Sequence, residues 1–323
     1  MTMIDRRALI RAGLAAASVP FFSMFSAFSA ALTYALKPLA VTDGVWMLAG
    51  APQPITFENG GAIANITILD SSDGAIIIDT GPSRRFGEEL AALARSLTGK
   101  DVARVYITHF HPDHAFGNQA FVAEGIAAPQ GVIDGLRDAG AAFSDAMYYI
   151  ARDWMRGTDI VLPKNAVTSG VEEIGGRRLH LFALAGHTSS DLAILDETSG
   201  TLIAGDLAFL DRAPTTPHAN LGIWQQSLTT LGELDFKMLV PGHGPAEADK
   251  RALTQTHEWL AAIADIIQRS YERGLDMLET ARQPLPPSLE KIALSRYEFE
   301  RSVMHLYPKL EAERLPEVGK KIE

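Results

Sequence analysis

The stretch Thr108-His109-Phe110-His111-Pro112-Asp113-His114 closes the predicted buried strand Val102–Thr108. Side chains two residues apart in a strand point to the same side, so the first two imidazoles can converge on one ion. The proline ends the strand, and the aspartate and histidine after it are directed toward a neighbouring position. Imidazole and carboxylate groups at this density suit zinc, iron or manganese. The stretch therefore predicts a metal site, the alternative being a histidine-rich loop in solvent.

Three isolated residues, His187, Asp206 and His243, each follow a glycine at the end of a predicted strand. A glycine lets the backbone approach another group closely, as a crowded metal site requires. Taken singly, each of the three is more often an ordinary hydrogen-bonded polar residue than a ligand. Their occurrence together, in this order after the first cluster, predicts that they complete the metal centre.

With Asp79 at the end of an earlier strand, these residues resemble the metallo-β-lactamase superfamily over about residues 41–250. The resemblance implies an α+β fold, the metallo-β-lactamase αββα four-layer sandwich, with a C-terminal helical extension. It also implies two zinc ions at one edge of the sheets, with Asp79 supporting the ligands from behind; iron and manganese fit the same donors. The implied ligands are His109, His111 and His187 for the first ion, Asp113, His114 and His243 for the second, and Asp206 between the two.

Three stretches, Asp79–Arg84, His114–Gln119 and Asp211–His218, resemble a narrower group, the exported SoxH-like quinoprotein relay system zinc metallohydrolases. This resemblance implies a functional link to a periplasmic quinoprotein dehydrogenase that uses pyrroloquinoline quinone (PQQ). It leaves the small-molecule substrate open. His218, on the proline-rich loop of the third stretch, is a candidate for the substrate pocket, with an ordinary loop histidine as the alternative.

The expected reaction is hydrolysis of an ester, thioester, lactone or amide by a hydroxide formed between two metal ions. Asp113 is the candidate catalytic residue, because it would orient that hydroxide as well as bind metal. The absence of cysteine and the presence of Asp206 argue against a β-lactamase. A ligand set with a bridging aspartate resembles that of the glyoxalase II-like hydrolases instead. Two alternatives are an iron-dependent persulfide dioxygenase and a non-catalytic accessory protein of a quinoprotein system. The complete ligand set disfavours the second, because a pure binding protein has no need of it.

Composition narrows the partners of the chain. Its 323 residues include 29 Lys+Arg and 39 Asp+Glu, which gives a formal net charge of −10. This balance disfavours nucleic acid as a partner, because phosphates are bound by basic surfaces. With no cysteine, the chain has neither disulfides nor thiolate metal sites.

The N-terminus has the layout of a secretory signal. Arg6 and Arg7 precede an uncharged stretch that runs from Ala12 to Leu36, and adjacent arginines indicate the twin-arginine export route to the periplasm. An uncleaved membrane anchor is the alternative; with the signal cleaved, no stable membrane insertion is expected. We therefore divide the chain into residues 1–31, the signal; residues 32–249, the metallo-β-lactamase-fold domain; and residues 250–323, the helical extension.

Hydrophobic spacing predicts a helix at about Arg85–Leu97 and a mostly helical segment from about Gln119 to Arg156. The tail from Lys250 is predicted to be helical and to pack on the domain or on a second subunit. Three further histidines are predicted to be structural or solvated: His180, His257 and His305.

Overall fold

The structure, a computed structural model, describes residues 32–314. The predicted signal, residues 1–31, lies outside the described residues. Between residues 32 and 314, no helix combines the length and the hydropathy needed to cross a membrane.

A seven-stranded sheet forms the first half of the fold, with its strands side by side in chain order. The first four strands pair antiparallel, and the last three join in parallel. The parallel strands all end at the same edge, so the loops that follow them are brought together there. The strands are β1 (Pro38–Thr42), β2 (Val45–Leu48), β3 (Ile66–Ser71), β4 (Gly74–Ile78), β5 (Val102–Tyr106), β6 (Ile126–Pro129) and β7 (Asn165–Val167).

A five-stranded sheet forms the second half, with the strand order β12-β11-β10-β9-β8. Its pairs are antiparallel except β11 with β12, which are parallel and shift register on either side of Gly205. The strands are β8 (Gly170–Ile174), β9 (Arg177–Leu184), β10 (Asp191–Asp196), β11 (Thr201–Phe209) and β12 (Met238–His243).

The helices cover the outer faces of the two sheets. Helices α1 and α3 contact the first sheet, and α4, α5 and α8 share an apolar core with the second. The helices of the described residues are α1 (Arg84–Thr98), α2 (Pro112–Ala115), α3 (Gln130–Ala151), α4 (Leu221–Gly232), α5 (Arg251–Glu272), α6 (Met277–Ala281), α7 (Pro287–Glu290) and α8 (Ser295–Arg314).

A separate core lies between the sheets, where alternate residues of each strand face inward. Ile76, Ile78 and Tyr106 of the first sheet meet Leu192 and Ile194 of the second, and all five are buried. Two sheets packed face to face with helices on both outer faces confirm the predicted α+β sandwich.

The segment from Gln119 to Arg156 is mostly helical, as predicted, but it also contains strand β6, which was not predicted. Residues Ile126–Pro129 are all buried and pair in parallel with β5. Four apolar residues make a short strand rather than a helix when a sheet edge is available to them. Helix α1 agrees with its predicted span to within one residue at each end.

Candidate metal centre

Five strands bring the predicted site residues to one edge of the sandwich, four of them at or just after their ends; the prediction that Asp206 ends its strand is wrong, because β11 continues to Phe209. Asp79 follows β4, the cluster 109–114 follows β5, and His187 lies in the turn between β9 and β10. Asp206 lies within β11, and His243 ends β12. All of these polar residues are buried, none of them more than 8% exposed.

The first group consists of His109, His111, His187 and Asp206. The Nδ1 atom of His111 lies 3.1 Å from Nε2 of His109 and 3.0 Å from Nε2 of His187. The Oδ2 atom of Asp206 lies 3.2 Å from Nε2 of His187 and 3.7 Å from Nε2 of His109. Three imidazole nitrogens and one carboxylate oxygen thus surround a common centre.

The second group consists of Asp113, His114 and His243, with the other oxygen of Asp206 facing it. The Oδ1 atom of Asp206 lies 3.2 Å from Nε2 of His114 and 3.3 Å from Nε2 of His243. The Oδ2 atom of Asp113 lies 3.6 Å from Nε2 of His114 and 3.5 Å from Nε2 of His243. Asp206 therefore presents one oxygen to each group.

The spacing of these atoms fits a pair of zinc ions. Ligands about 2.0–2.1 Å from a tetrahedral zinc lie roughly 3.3 Å from one another, and the distances in both groups range around that value. The Nε2 atom of His114 and the Oδ1 atom of Asp206 are buried and, although they lie 3.2 Å apart, neither makes a hydrogen bond with the other or with another described residue. Buried polar atoms left without a partner are uncommon, and a metal ion would satisfy both of them.

The outer nitrogens of three histidines are fixed by neighbouring groups. The Nδ1 atom of His109 lies 3.0 Å from Oγ1 of Thr108, and that of His114 lies 2.7 Å from Oδ2 of Asp79. The Nδ1 atom of His243 lies 2.7 Å from the carbonyl oxygen of Ile63. Each contact holds the proton on Nδ1 and leaves Nε2 free for a metal, as in well-supported metal sites.

His111 has the opposite arrangement. Its Nδ1 atom faces the first group, and its Nε2 atom lies 2.9 Å from Nδ1 of His218. The predicted pocket residue His218 therefore orients a candidate ligand and also lines the cavity. Sequence reasoning did not anticipate this contact, because the two histidines are 107 residues apart.

Two of the glycines before site residues are required by close approach. A Cβ at Gly242 would lie 2.0 Å from Oδ1 of Asp206, and a Cβ at Gly186 would lie 2.3 Å from Cα of Trp224. Gly186 also adopts φ +139, a conformation that other residues rarely reach. These positions explain the glycines that precede His243 and His187.

Burial and charge prepare the first group to bind metal. Desolvation lowers the pKa of His109 and His111 well below the usual histidine value, and lowers the pKa of His187 to about 4. These imidazoles are therefore neutral at pH 7, the form that binds metal. Burial works against ionisation of Asp206, but the surrounding histidines hold its pKa well below the usual range.

His114 lies in a different electrostatic setting. Burial disfavours its charged form, yet the carboxylates of Asp206, Asp79 and Asp113 together raise its pKa well above the usual value. Three carboxylates around one buried imidazole stabilise a positive charge at this position. A divalent cation at the second group would supply it.

The centre opens on a cavity of about 340 Å³. His111, Asp113, Asp206 and His243 line its floor. His305 is exposed, in keeping with its prediction as structural or solvated, and α8, which runs beside the cavity, also brings it into the cavity lining. Further lining residues that sequence reasoning missed are Phe143, Met147, Arg212, Tyr297, Glu298 and Arg301.

Sequence reasoning also missed Asn65, which is 5% exposed. Its Nδ2 atom donates to the carbonyl oxygens of Pro241 at 2.8 Å and Gly244 at 2.7 Å. Its backbone N–H donates to the carbonyl oxygen of Gly242 at 2.8 Å. Asn65 therefore clamps the loop that carries His243. A single asparagine before a strand carries no sequence signal for such a role.

The family model described as "Metallo-beta-lactamase superfamily" matches residues 59–243. Among curated proteins, the linear primary-alkylsulfatase of Pseudomonas sp. (strain ATCC 19151) is 23% identical over 283 residues, covering 74% of this chain and 53% of the relative. The probable metallo-hydrolase YqjP of Bacillus subtilis (strain 168) is 24% identical over 266 residues, covering 70% of this chain and 82% of the relative. The chain thus spans about half of the length of the alkylsulfatase.

Solved structures show the same fold. A metallo-beta-lactamase from Pontibacter korlensis superposes with a TM-score of 0.58 at 21% identity, covering 70% of this chain and 99% of that one. The sec-alkylsulfatase Pisa1 from Pseudomonas sp. superposes with a TM-score of 0.64 at 16% identity, covering 87% of this chain and 52% of that one. At these identities the likeness concerns the fold alone.

Proposed function

We propose that this chain, which belongs to the metallo-beta-lactamase superfamily, is a two-zinc hydrolase that cleaves an ester, thioester, lactone or amide bond in a small molecule. The observation that carries the proposal is the position of Asp206, whose two oxygens face two complete groups of buried ligands. One carboxylate shared in this way is suited to holding two ions close together. The cavity beside it gives a small molecule access to both groups.

Two bound ions would supply Lewis acidity and a water molecule of lowered pKa. The residues of the chain perform the remaining tasks. Asp113 is the carboxylate that belongs to the second group and also lines the cavity, so it can hold a proton of the attacking water. His218 fixes the ring of His111 through the contact at 2.9 Å. Because water is the nucleophile, this hydrolysis needs no serine or cysteine nucleophile.

The two alternatives from sequence differ from this proposal in what the site would contain. A persulfide dioxygenase needs one iron, whereas the second group here is complete and as deeply buried as the first. An accessory protein needs no open centre, whereas the floor of the cavity is formed by candidate ligands. Both observations favour the hydrolase.

Carboxylic esters, thioesters, lactones and amides follow from the chemistry of a two-ion site. The relative described as a linear primary-alkylsulfatase adds sulfate esters to that set.

The test is metal analysis of the purified full-length protein together with hydrolysis of one substrate from each bond class. We expect about two zinc ions per chain and turnover that a chelator abolishes and zinc restores. Asp206→Asn should lose most of the zinc and of the activity, while Asp211→Asn, the same change at an exposed position five residues on, should keep both. A stable, metal-free protein would overturn the proposal, and one iron per chain with oxygen uptake on persulfide would replace it with the dioxygenase.

We further propose that the enzyme is exported to the periplasm and works beside a quinoprotein dehydrogenase. The support is the Arg6-Arg7 pair before an uncharged stretch and the resemblance to the quinoprotein relay group. Fractionation of cells that express the full chain should find the protein in the periplasm. Replacing both arginines by lysine should retain it in the cytoplasm, because the twin-arginine route depends on that pair. Periplasmic protein in both cases would refute the proposed route.

A further inference from the structure

One side chain of the cavity is a buried cation that no described carboxylate pairs with directly. Arg212 is 3% exposed and lines the cavity beside the metal centre. Its Nε and Nη1 atoms are buried, and no acceptor between residues 32 and 314 takes a hydrogen bond from them. The guanidinium lies over the ring of Phe209, with Cζ 5.9 Å from the ring centroid, and Glu298 acts on it electrostatically. Two buried N–H donors without an acceptor are nevertheless costly. Retaining them beside a reaction cavity is explained if an anion binds there.

The backbone holds Arg212 in a fixed position. Its neighbour Ala213 donates its N–H to the carbonyl oxygen of Ala293 at 2.9 Å, and Arg212 itself forms a parallel bridge with Ala293. Two residues earlier, Leu210 donates its N–H to the carbonyl oxygen of His243 at 3.1 Å. The guanidinium is therefore attached to a segment that is bonded to the metal-site loop at one end and to the segment before α8 at the other.

The acidic group that acts electrostatically on Arg212 is already engaged elsewhere. Glu298 is 1% exposed, and its carboxylate accepts hydrogen bonds from Nη1 of Arg301 at 2.9 and 3.1 Å. It also accepts one from Oγ1 of Thr215 at 3.0 Å. One carboxylate thus faces two guanidiniums, and no described carboxylate lies within 4.0 Å of Arg212. A positive charge is left over on this side of the cavity.

The other wall of the cavity is apolar. Phe143, Met147 and Ile150 line it from α3, and their spacing of four and three residues places them on one face of that helix. Ile55 and Ile63 extend the apolar surface. A molecule that fills this space therefore contacts both hydrocarbon and a guanidinium.

We propose that Arg212 is the anion-recognition residue of the cavity, and that the substrate is an amphiphilic anion. Its apolar chain would lie against the α3 wall, and its carboxylate or sulfate group would bind the guanidinium, whose planar fork matches both. The inference rests on the proposed function, because it concerns the cavity that opens on the metal centre.

Equilibrium binding to the zinc-loaded and to the chelator-treated full-length protein tests this inference. The probes are hexyl sulfate, hexanoate and the neutral hexanol, which share one alkyl chain. We expect at least one of the anions to bind at least about tenfold more tightly than hexanol in both forms of the protein, a difference ordinary for a charge-assisted hydrogen bond. The anion that binds more tightly identifies the substrate group as sulfate or carboxylate. Equal binding of all three probes would overturn the proposal.

Arg212→Met removes the charge and keeps most of the stem. We expect it to weaken binding of the preferred anion at least about tenfold and to change hexanol binding less than about twofold. Arg282→Met is the control, since it deletes the same charge at an exposed position away from the cavity. If Arg212→Met keeps its anion affinity within twofold, Arg212 does not recognise the anion.

Thermal unfolding separates recognition from a structural role. An unpaired buried cation costs stability, so Arg212→Met without ligand should unfold at the same temperature as wild type or a higher one. Hexyl sulfate or hexanoate should raise the Tm of wild type and not that of the variant. A variant that is destabilised, and whose Tm the anion raises as much as that of wild type, would assign Arg212 a structural role instead.

This inference and the proposed function can fail separately. Loss of the proposed function would appear as protein without zinc or chelator-sensitive turnover. Failure of the anion site would appear as a zinc-loaded, active protein that binds hexanol as tightly as the two anions.

Discussion

Asp79→Asn is the sharpest test of how the second group is held. The Oδ1 atom of Asp79 accepts the backbone N–H of Thr108 at 2.7 Å, which fixes the amide oxygen of an asparagine at that position. The amide NH2 would then replace Oδ2, which now lies 2.7 Å from Nδ1 of His114 and 2.8 Å from Oγ1 of Thr108. The hydroxyl of Thr108 can turn to accept, but an N–H of His114 would face another N–H. His114 must therefore lose the hydrogen bond or move its proton to Nε2, the atom that faces the second group.

The backbone conformation at position 79 does not affect the interpretation of this substitution. Asp79 adopts φ 65, a left-handed conformation that asparagine tolerates as well as aspartate does. A hydrogen bond to a charged acceptor is worth about 1.5–3 kcal/mol. Loss of about 2 kcal/mol corresponds to roughly a thirtyfold weaker zinc affinity at the second group, within the usual effect of removing a group that orients a ligand.

The assay is competition for zinc between the protein and a chromophoric chelator. We expect the affinity of the second ion to fall about thirtyfold, and that of the first to stay within about threefold. Thr67→Val is the matched control, because it removes a buried hydroxyl on the neighbouring strand β3. That hydroxyl has no hydrogen-bond partner among the described residues, and Thr67 is not a candidate ligand. Wild-type affinity for both ions in a natively folded Asp79→Asn variant would refute the reasoning, as would an equal loss at both groups.

Three further outcomes are expected. Gly242→Ala places a Cβ 2.0 Å from Oδ1 of Asp206, so it should reduce zinc content and turnover at least about tenfold. Gly232→Ala is the control and should change neither, because the space around Gly232 is open. Normal zinc content in Gly242→Ala would contradict the packing argument. Burial raises the pKa of Glu247 to about 7 from 4.5, so the folded chain gains a proton relative to the unfolded one and stability falls as the pH rises through that window. Glu247→Gln removes the titration and should be about 1–2 kcal/mol more stable than wild type at pH 8 but equal near pH 4, as measured by urea unfolding; identical pH profiles would contradict it. Chelation should lower the Tm by about 5–15 °C and zinc should restore it, and an unchanged Tm would mean that no metal is bound.

The sequence predicts the parts of the site that are local or that follow a strand. The cluster 109–114 is readable because two-residue periodicity and a proline fix its geometry within one stretch. His187, Asp206 and His243 are recognisable because each follows a glycine at or near a predicted strand end, although β11 in fact continues past Asp206 to Phe209. Two of those glycines are required by contacts of 2.0 and 2.3 Å. Such signals can be recognised because covalent geometry and close packing restrict which residues can stand next to a site residue.

The parts that could not be predicted depend on where distant segments return. Arg212 and Glu298 line the same cavity only because α8 packs beside it, and no sequence pattern near either residue predicts this proximity. Asn65 bonds to a loop about 180 residues away, as does Ile63, whose carbonyl oxygen accepts from His243. Strand β6 was missed because a four-residue apolar run takes its structure from the strand beside it rather than from its own periodicity.

The distribution of the candidate ligands joins metal binding to the packing of the fold. Each group takes two ligands from loops of the first sheet and the rest from the second: His109 and His111 with His187, and Asp113 and His114 with His243, while Asp206 serves both. Each ion would therefore link the two sheets across the edge of the core that lies between them. Without metal, buried carboxylates and imidazoles face one another with atoms left unsatisfied, so we expect the metal-free protein to be destabilised at this edge. Metal loss should accordingly loosen the ends of β11 and β12 before the helices, because the helical side of the second sheet keeps an apolar core of its own.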